Sequence, residues 1–567
     1  MKSFLSILVI TLLWALLYLT GLGRREIRGE EWRRTLPGRT MLNTGNWVVP
    51  YSGGQPFVRK PPLINWASAA SFKVTGVQSE WSARLPSVLA MLGASLLMFG
   101  FGRRAMGERA ALLGVVCFLT LIGCIEKGRL AEIEVYYIAF TGAAFMAWLA
   151  GFLGKANRWL TWIVAGALLG LALLAKGPAH LLFFYLLLAG VCWQTKRWRE
   201  LFSLPHLLGL VVCFGMALAW AIPFISEYDI LLQEVHQRAV ADAQLKGLPA
   251  PEAPRSAIDS WLFEVSSRVT GEEKSSIGDW LVRGPRALVM FLPWILFLPL
   301  AWKRQVVVEG ALKTEDCTRV FRGILYGAIA GFAFMVLLPS SSPRYVAPLL
   351  GPVAMLIGWL LAAGMAEGQR RAFSVWKHLM LAVAVVSLLG MAGLVAFAKV
   401  DLSLPVGESL LWVAAFVACA GACVWVLRHR ESLAEKFAAW ACIGMTAAIG
   451  FYGALTGVYV HTDHLIKPMA DSINKAMEPK DGPLLLLHLA QIPYPFYLPG
   501  DTFEIYDVNL IPDSGIKWML TTPQIYKDWH IYFERRYGKS EIRGEFTGEW
   551  GEVRSEKEFV LVRFAGK

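Results

Sequence analysis

The sequence predicts an α-helical polytopic membrane protein of about 13 transmembrane helices, with interfacial helices in the first outer loop and a small C-terminal α/β domain on the outer face. Composition and hydropathy period predict it. Hydrophobic residues make up 56% of the 567 and charged residues 17%, at a mean hydropathy of +0.47, so a soluble globule would expose large apolar patches. Apolar runs of about 20 residues, the length that crosses ~30 Å of hydrocarbon, recur as far as residue 460 and then stop.

The runs lie near 3–22, 84–102, 110–126, 134–154, 158–174, 178–194, 204–224, 286–302, 323–339, 345–365, 378–398, 408–427 and 438–460. Lys2 followed by an apolar stretch also fits a cleaved secretion signal; the run is long for one, and its small-residue cleavage pattern is weak. With the N-terminus cytoplasmic, nineteen Lys and Arg fall in short inner loops, from Arg103 to Lys436, against five on the other side: Lys127, Arg129, Lys176, Arg344 and Lys399. The positive-inside rule then places the long polar segments 23–83, 225–285 and 461–567 outside, so that residues 1–460 form the membrane domain and 461–567 an extracytoplasmic domain.

The net charge of +12 resides largely in the inner rims, where cations meet anionic headgroups, so it implies membrane lipids and no nucleic acid partner. All eight Cys fall in or near spans or inner loops, and no Cys/His cluster marks a metal site. In the first outer loop, residues 30–44 can form a helix on the membrane surface, Gly53-Gly54 a turn, and Pro61-Pro62 can open a second helix through about 76. Beyond residue 480, LLLLHL and KEFVLVRF read as strands and TPQIYKDWHIYFERRY as a helix capped by its Thr.

Two acidic clusters border the outer face. Glu30 and Glu31 open the first surface helix, where the helix dipole and a low-dielectric surface suit a general base; helix-end charge decoration is the alternative. Glu126, Glu132 and Glu134 lie between the third and fourth runs, either as a functional group at membrane depth or as solvated loop charges. Lys60, Arg84, Arg129, Lys176 and Arg344 stand at outer ends of spans, where together they could close on an anion such as a lipid phosphate. Each alone also fits a snorkelling interface anchor. A transporter would explain the spans, but it predicts midplane charges and paired repeats, and the charges here gather at the rims.

The string GEEWRRTLPGRTMLNTGNWVVPYSGGQPFVRKPPLINW, followed in order by Arg84-Leu85-Pro86, GRLAEIEVYY, Lys176-Gly177-Pro178, FLPWILFLP and SSSPRYVAPLLGP, resembles bacterial family 39-type membrane glycosyltransferases, the protein O-mannosyltransferase and aminoarabinose lipid A transferase group. The resemblance covers about residues 1–365. It implies a C-type glycosyltransferase fold in the bacterial inner membrane and an active site on the outer face. It further implies a polyprenyl-phosphate sugar donor and a lipid A, envelope glycan or protein Ser/Thr acceptor. Register places the family's catalytic acid on Glu30, with Glu31 beside it, and its second acidic position on Glu134, with Glu132 close behind. Lys60, Arg84, Arg129, Lys176, Arg344 and Tyr345 are then the expected donor-phosphate set, with inversion at the anomeric carbon and no cofactor or metal. The chain departs from the pattern at Glu30, where Asp is usual, at Asn46 for Asp and at Arg59 for Glu, which points to a divergent branch.

Overall fold

The computed structural model describes residues 2–27, 29–52, 55–57, 60–245, 249, 252–270, 277–302, 315–338, 341–364, 466–477, 482, 484–487, 494–498, 502–505, 515–550 and 555–566. The expected spans 378–398, 408–427 and 438–460 lie outside them, as do Gly53-Gly54. The chain divides into two units, one of residues 1–22, 87–218 and 265–461 and one of 23–86, 219–264 and 462–567.

The first unit is helical. Its elements include α1 (Lys2–Trp14), most of α4 (Glu80–Met106), α5 (Glu108–Thr120), α6 (Ile122–Gly128), α7 (Glu134–Phe152), α8 (Arg158–Lys176) and α9 (Ala179–Thr195). Then come the first part of α10 (Leu204–Leu245), α12 (Ile277–Val289), α13 (Glu315–Leu337) and α14 (Leu350–Gly364); α11 (Ala257–Thr270) straddles the two units. Among the described residues six helices are long and apolar enough to cross a membrane, or seven if α5 and α6, bent by 60° at Leu121, form one span. Small residues let α9 and α13 touch: a Cβ on Gly323 would sit 2.5 Å from the Cα of Val191, so the helix backbones meet directly, as in membrane interfaces held by close packing.

Besides the run at 110–126, broken at Leu121, two expected spans differ. The run at 286–302 is split among the end of α12, a turn and a 3₁₀ segment (Trp294–Trp302), because Pro293 and Pro299 remove the amides a continuous helix needs. The run at 204–224 continues as helix to Leu245, past the boundary where hydropathy falls.

In the second unit, α2 (Glu30–Thr44) and α3 (Leu63–Thr75) form a helical hairpin linked through a two-stranded ribbon, β1 (Tyr51–Ser52) and β2 (Gln55–Pro56). Both helices end within a residue of the expected bounds, each on a left-handed glycine, Gly45 and Gly76. They pack closely at Gly38, where a Cβ would lie 2.7 Å from the Asn65 carbonyl.

The C-terminal part is a five-stranded sheet in the order β4-β3-β5-β7-β6, built from β3 (Leu484–Leu487), β4 (Thr502–Ile505), β5 (Trp518–Thr521), β6 (Ser540–Trp550) and β7 (Ser555–Phe564). Two helices cover it, α15 (Ile466–Ala476) and α16 (Pro523–Tyr537), the latter capped by the Thr522 hydroxyl. Strand alternation separates two cores. Leu484, Leu486, Trp518, Leu520 and Leu561 meet Met469 and Ile473 of α15, while Leu485, Leu487, Met519, Val560 and Val562 meet Phe533 and Tyr537 of α16.

Candidate active site

In the first unit, helix ends create one charged group. Glu134 is the first residue of α7, where the positive end of the helix dipole favours a carboxylate, and Lys176 is the last of α8, where the negative end favours a cation. The short connection at 153–157 folds α8 back along α7 and brings these ends together. Lys176 Nζ lies 2.9 Å from Glu134 Oε1 and 4.9 Å from the centre of the Tyr345 ring. Tyr137, one turn into α7, offers a second ring 5.5 Å away.

The third charge comes from a 3₁₀ turn, Pro343–Leu349, whose Arg344 places Nε 3.6 Å from the same Glu134 oxygen. Glu134 is 2% exposed and Arg344 39%, so the carboxylate is the buried floor and the guanidinium the accessible rim. Together these three side chains sum to one positive charge, a setting for an anion at the Arg344 side. The structure thus brings together Glu134, Lys176 and the adjacent pair Arg344 and Tyr345, three segments far apart in the chain.

Nearby in sequence, Lys127 Nζ is 3.1 Å from Glu132 and 3.3 Å from Glu126. Arg129 donates to the Leu17 carbonyl at 2.6 Å and also to the Thr20 carbonyl. That guanidinium caps the end of the first apolar helix, a position that serves the fold directly.

In the second unit the two adjacent carboxylates have different surroundings. Gly29 adopts φ 54°, a conformation that penalises any side chain, and this turn starts α2 and sets the direction in which Glu30 leaves it. Glu30 is 20% exposed and pairs within its own helix, with Arg33 at 3.0 Å and with Arg34. Glu31, one residue on and about 100° around the helix, is buried. Both its oxygens accept from Arg84, Oε1 from Nε and Oε2 from Nη2, each at 2.8 Å. Arg84 also donates to the carbonyls of Arg25 at 2.8 Å and Glu26 at 3.1 Å. Lys60 is half-buried just ahead of α3.

Sequence reasoning placed Arg84 among the phosphate ligands, and the structure places it on Glu31. It did not single out Arg34, although the i,i+4 spacing from Glu30 carries that signal, nor Glu26, Glu80 and Tyr497, whose contacts join segments more than 380 residues apart.

A family model described as dolichyl-phosphate-mannose-protein mannosyltransferase matches residues 59–222. The chain is 25% identical over 441 residues to undecaprenyl phosphate-alpha-4-amino-4-deoxy-L-arabinose arabinosyl transferase 2 of Pseudomonas fluorescens (strain Pf0-1), covering 76% of this chain and 71% of the relative. It is 26% identical over 437 residues to the arabinosyl transferase of the same description from Pseudomonas aeruginosa (strain UCBPP-PA14), covering 74% and 71%. The crystal structure of ArnT from Cupriavidus metallidurans bound to undecaprenyl phosphate superposes with a TM-score of 0.66 at 19% identity, covering 99% of this chain and 98% of that one. The shared fold follows from that superposition.

Proposed function

We propose that this chain, which belongs to the family 39-type membrane glycosyltransferases, transfers a sugar from a polyprenyl-phosphate-linked donor to an acceptor hydroxyl on the outer face of the inner membrane, with inversion. The observation that carries the reading is the group in which Lys176 and Arg344 converge on Glu134, with Arg344 accessible to an anionic ligand. Its relatives act on undecaprenyl phosphate-linked 4-amino-4-deoxy-L-arabinose, so that donor is the first to test, with lipid A or a similar envelope glycolipid as acceptor. The family model's description supports a second reading, transfer to a protein hydroxyl.

In this mechanism Glu30 takes the proton of the acceptor hydroxyl as its oxygen attacks the anomeric carbon. The bond from that carbon to the donor phosphate oxygen breaks, and the lipid phosphate leaves with the electron pair. Lys60 and Arg344 stabilise the charge on the departing phosphate. Phosphate is a good leaving group, so the step needs no general acid. Glu30 is favoured over Glu31 because a base must exchange protons with its substrate, and the Glu30 side chain is 20% exposed where that of Glu31 is 3% exposed.

Arg344→Ala is expected to weaken binding of a polyprenyl-phosphate sugar roughly 10- to 100-fold while the protein stays folded, since one charge-assisted contact is worth about 1.5–3 kcal/mol. Lys60→Ala should act in the same direction. Unchanged donor affinity in both variants, read by titration of the purified protein, would assign these cations to anchoring at the membrane surface.

We further infer that residues 461–567 form an extracytoplasmic domain and that the N-terminus is cytoplasmic, from the distribution of cations between short loops. Reporter fusions after residue 470 should then give a periplasmic signal. A cytoplasmic signal at that junction would place the sheet and the first outer loop on the wrong face for this chemistry.

A further inference from the structure

The segment 25–27, which leads into the proposed base, is gripped from two directions. On one side lies Arg84, whose guanidinium reads the carbonyls of Arg25 and Glu26. On the other lies the C-terminal part of the chain. The buried Glu26 carboxylate accepts the first amides of α15, Lys467 N at 2.9 Å and Ile466 N at 3.2 Å. The Tyr497 hydroxyl accepts the Ile27 amide at 2.7 Å and donates to Glu80 Oε1 at 3.2 Å. Lys467 Nζ reaches that same Glu80 oxygen at 3.3 Å.

The surrounding turn is docked as well. Arg39 of α2 donates to the Pro495 and Leu498 carbonyls at 3.1 and 3.0 Å, and Gln78 donates to the Phe496 carbonyl at 3.2 Å. Residues 494–498 therefore cover the α2–α3 hairpin with backbone carbonyls, while Tyr497 reaches past it to the chain entering α2. Burial and then the Glu80 carboxylate raise the Tyr497 pKa above its ordinary value, so the hydroxyl keeps the proton it donates.

We propose that the C-terminal domain is a positioning device for the first loop, in which Tyr497 and Glu26 hold the chain that aims Glu30. The proposal rests on the reading of Glu30 as the base. Ile27 stands three residues before Glu30, within about 11 Å of extended chain, and Gly29 between them is a conformationally permissive joint. Fixing the chain ahead of such a joint limits where α2 begins. A misplacement of about 1 Å at a reacting group can lower a rate ~10²-fold.

The test uses full-length protein with Tyr497→Phe, which deletes the hydroxyl and keeps the ring, and Glu26→Gln, which keeps the shape and removes the charge. Transfer kinetics and amide hydrogen exchange are measured together. Each variant is expected to lower kcat roughly 10- to 100-fold with donor KM within about twofold, and to speed exchange at residues 25–36 while strands β3, β5 and β7 keep their protection. Glu26→Asp should recover part of the kcat lost in Glu26→Gln. Wild-type kcat in both variants, in an assay where Glu30→Gln is inactive, would overturn the positioning role and leave the base intact. Full activity of Glu30→Gln in that assay would instead remove the base. If Tyr497→Phe loses protection across the sheet, Glu26→Gln alone decides.

Discussion

Glu30→Gln is expected to lower the rate of sugar transfer ~10²- to 10⁴-fold, the usual loss when a general base is removed, with little change in donor affinity. The substitution keeps the length and hydrogen-bonding shape of the side chain and removes its ability to take a proton. Arg33 and Arg34 lose a partner, but Glu30 is partly solvated and its pairs lie within one helix, so the cost to stability is small, of the order of a surface ion pair. Glu30→Asp shortens the reach by one methylene. In a pocket shaped for Glu, activity should fall without vanishing, as read from initial rates at saturating donor.

Glu31→Gln should fail in a different way. Its carboxylate and the Arg84 guanidinium are each 3% exposed and joined by two parallel hydrogen bonds. Neutralising Glu31 takes away the carboxylate that receives both parallel hydrogen bonds of the buried Arg84 guanidinium, and breaking such a pair costs about 3–5 kcal/mol. The expected result is a clearly lower unfolding midpoint, with residual transfer in whatever fraction remains folded. Replacing both members, Glu31→Leu with Arg84→Met, should recover much of the lost stability, because the desolvation penalty disappears with both charges. Wild-type stability of Glu31→Gln combined with loss of transfer would move the catalytic role from Glu30 to Glu31.

This division of labour between neighbouring carboxylates shows how far the sequence could be read. Glu30 and Glu31 were recognisable as a pair opening a helix, since a Gly turn and an acidic first turn are local signals. Which one faces a buried cation was not legible, because Arg84 lies 53 residues away and its partner is set by the packing of α2, α3 and α4. The group at Glu134 was more readable. Lys176 and Arg344 end or follow apolar runs on the same side, and span length alone places their ends at one level. The error at 204–245 has a physical cause too: hydropathy reports the solvent a segment meets, whereas the helix continues through Glu227, Asp229 and Glu234 on its intrinsic hydrogen bonding. At 286–302 the run is apolar, and Pro293 and Pro299, which hydropathy does not register, break its helix. The contacts of Tyr497 with Ile27 and Glu80 link segments more than 400 residues apart, a distance at which no periodicity carries information.

The most direct test of the account is to supply the purified protein, in lipid, with undecaprenyl phosphate-linked 4-amino-4-deoxy-L-arabinose and a phosphorylated glycolipid acceptor, and to follow both halves of the donor. The account predicts that undecaprenyl phosphate is released in step with glycosylated acceptor, that the new bond has inverted anomeric configuration, and that Glu30→Gln stops both. Donor that crosses the bilayer intact, with no release of lipid phosphate at any acceptor concentration, would contradict a transferase and point to a carrier.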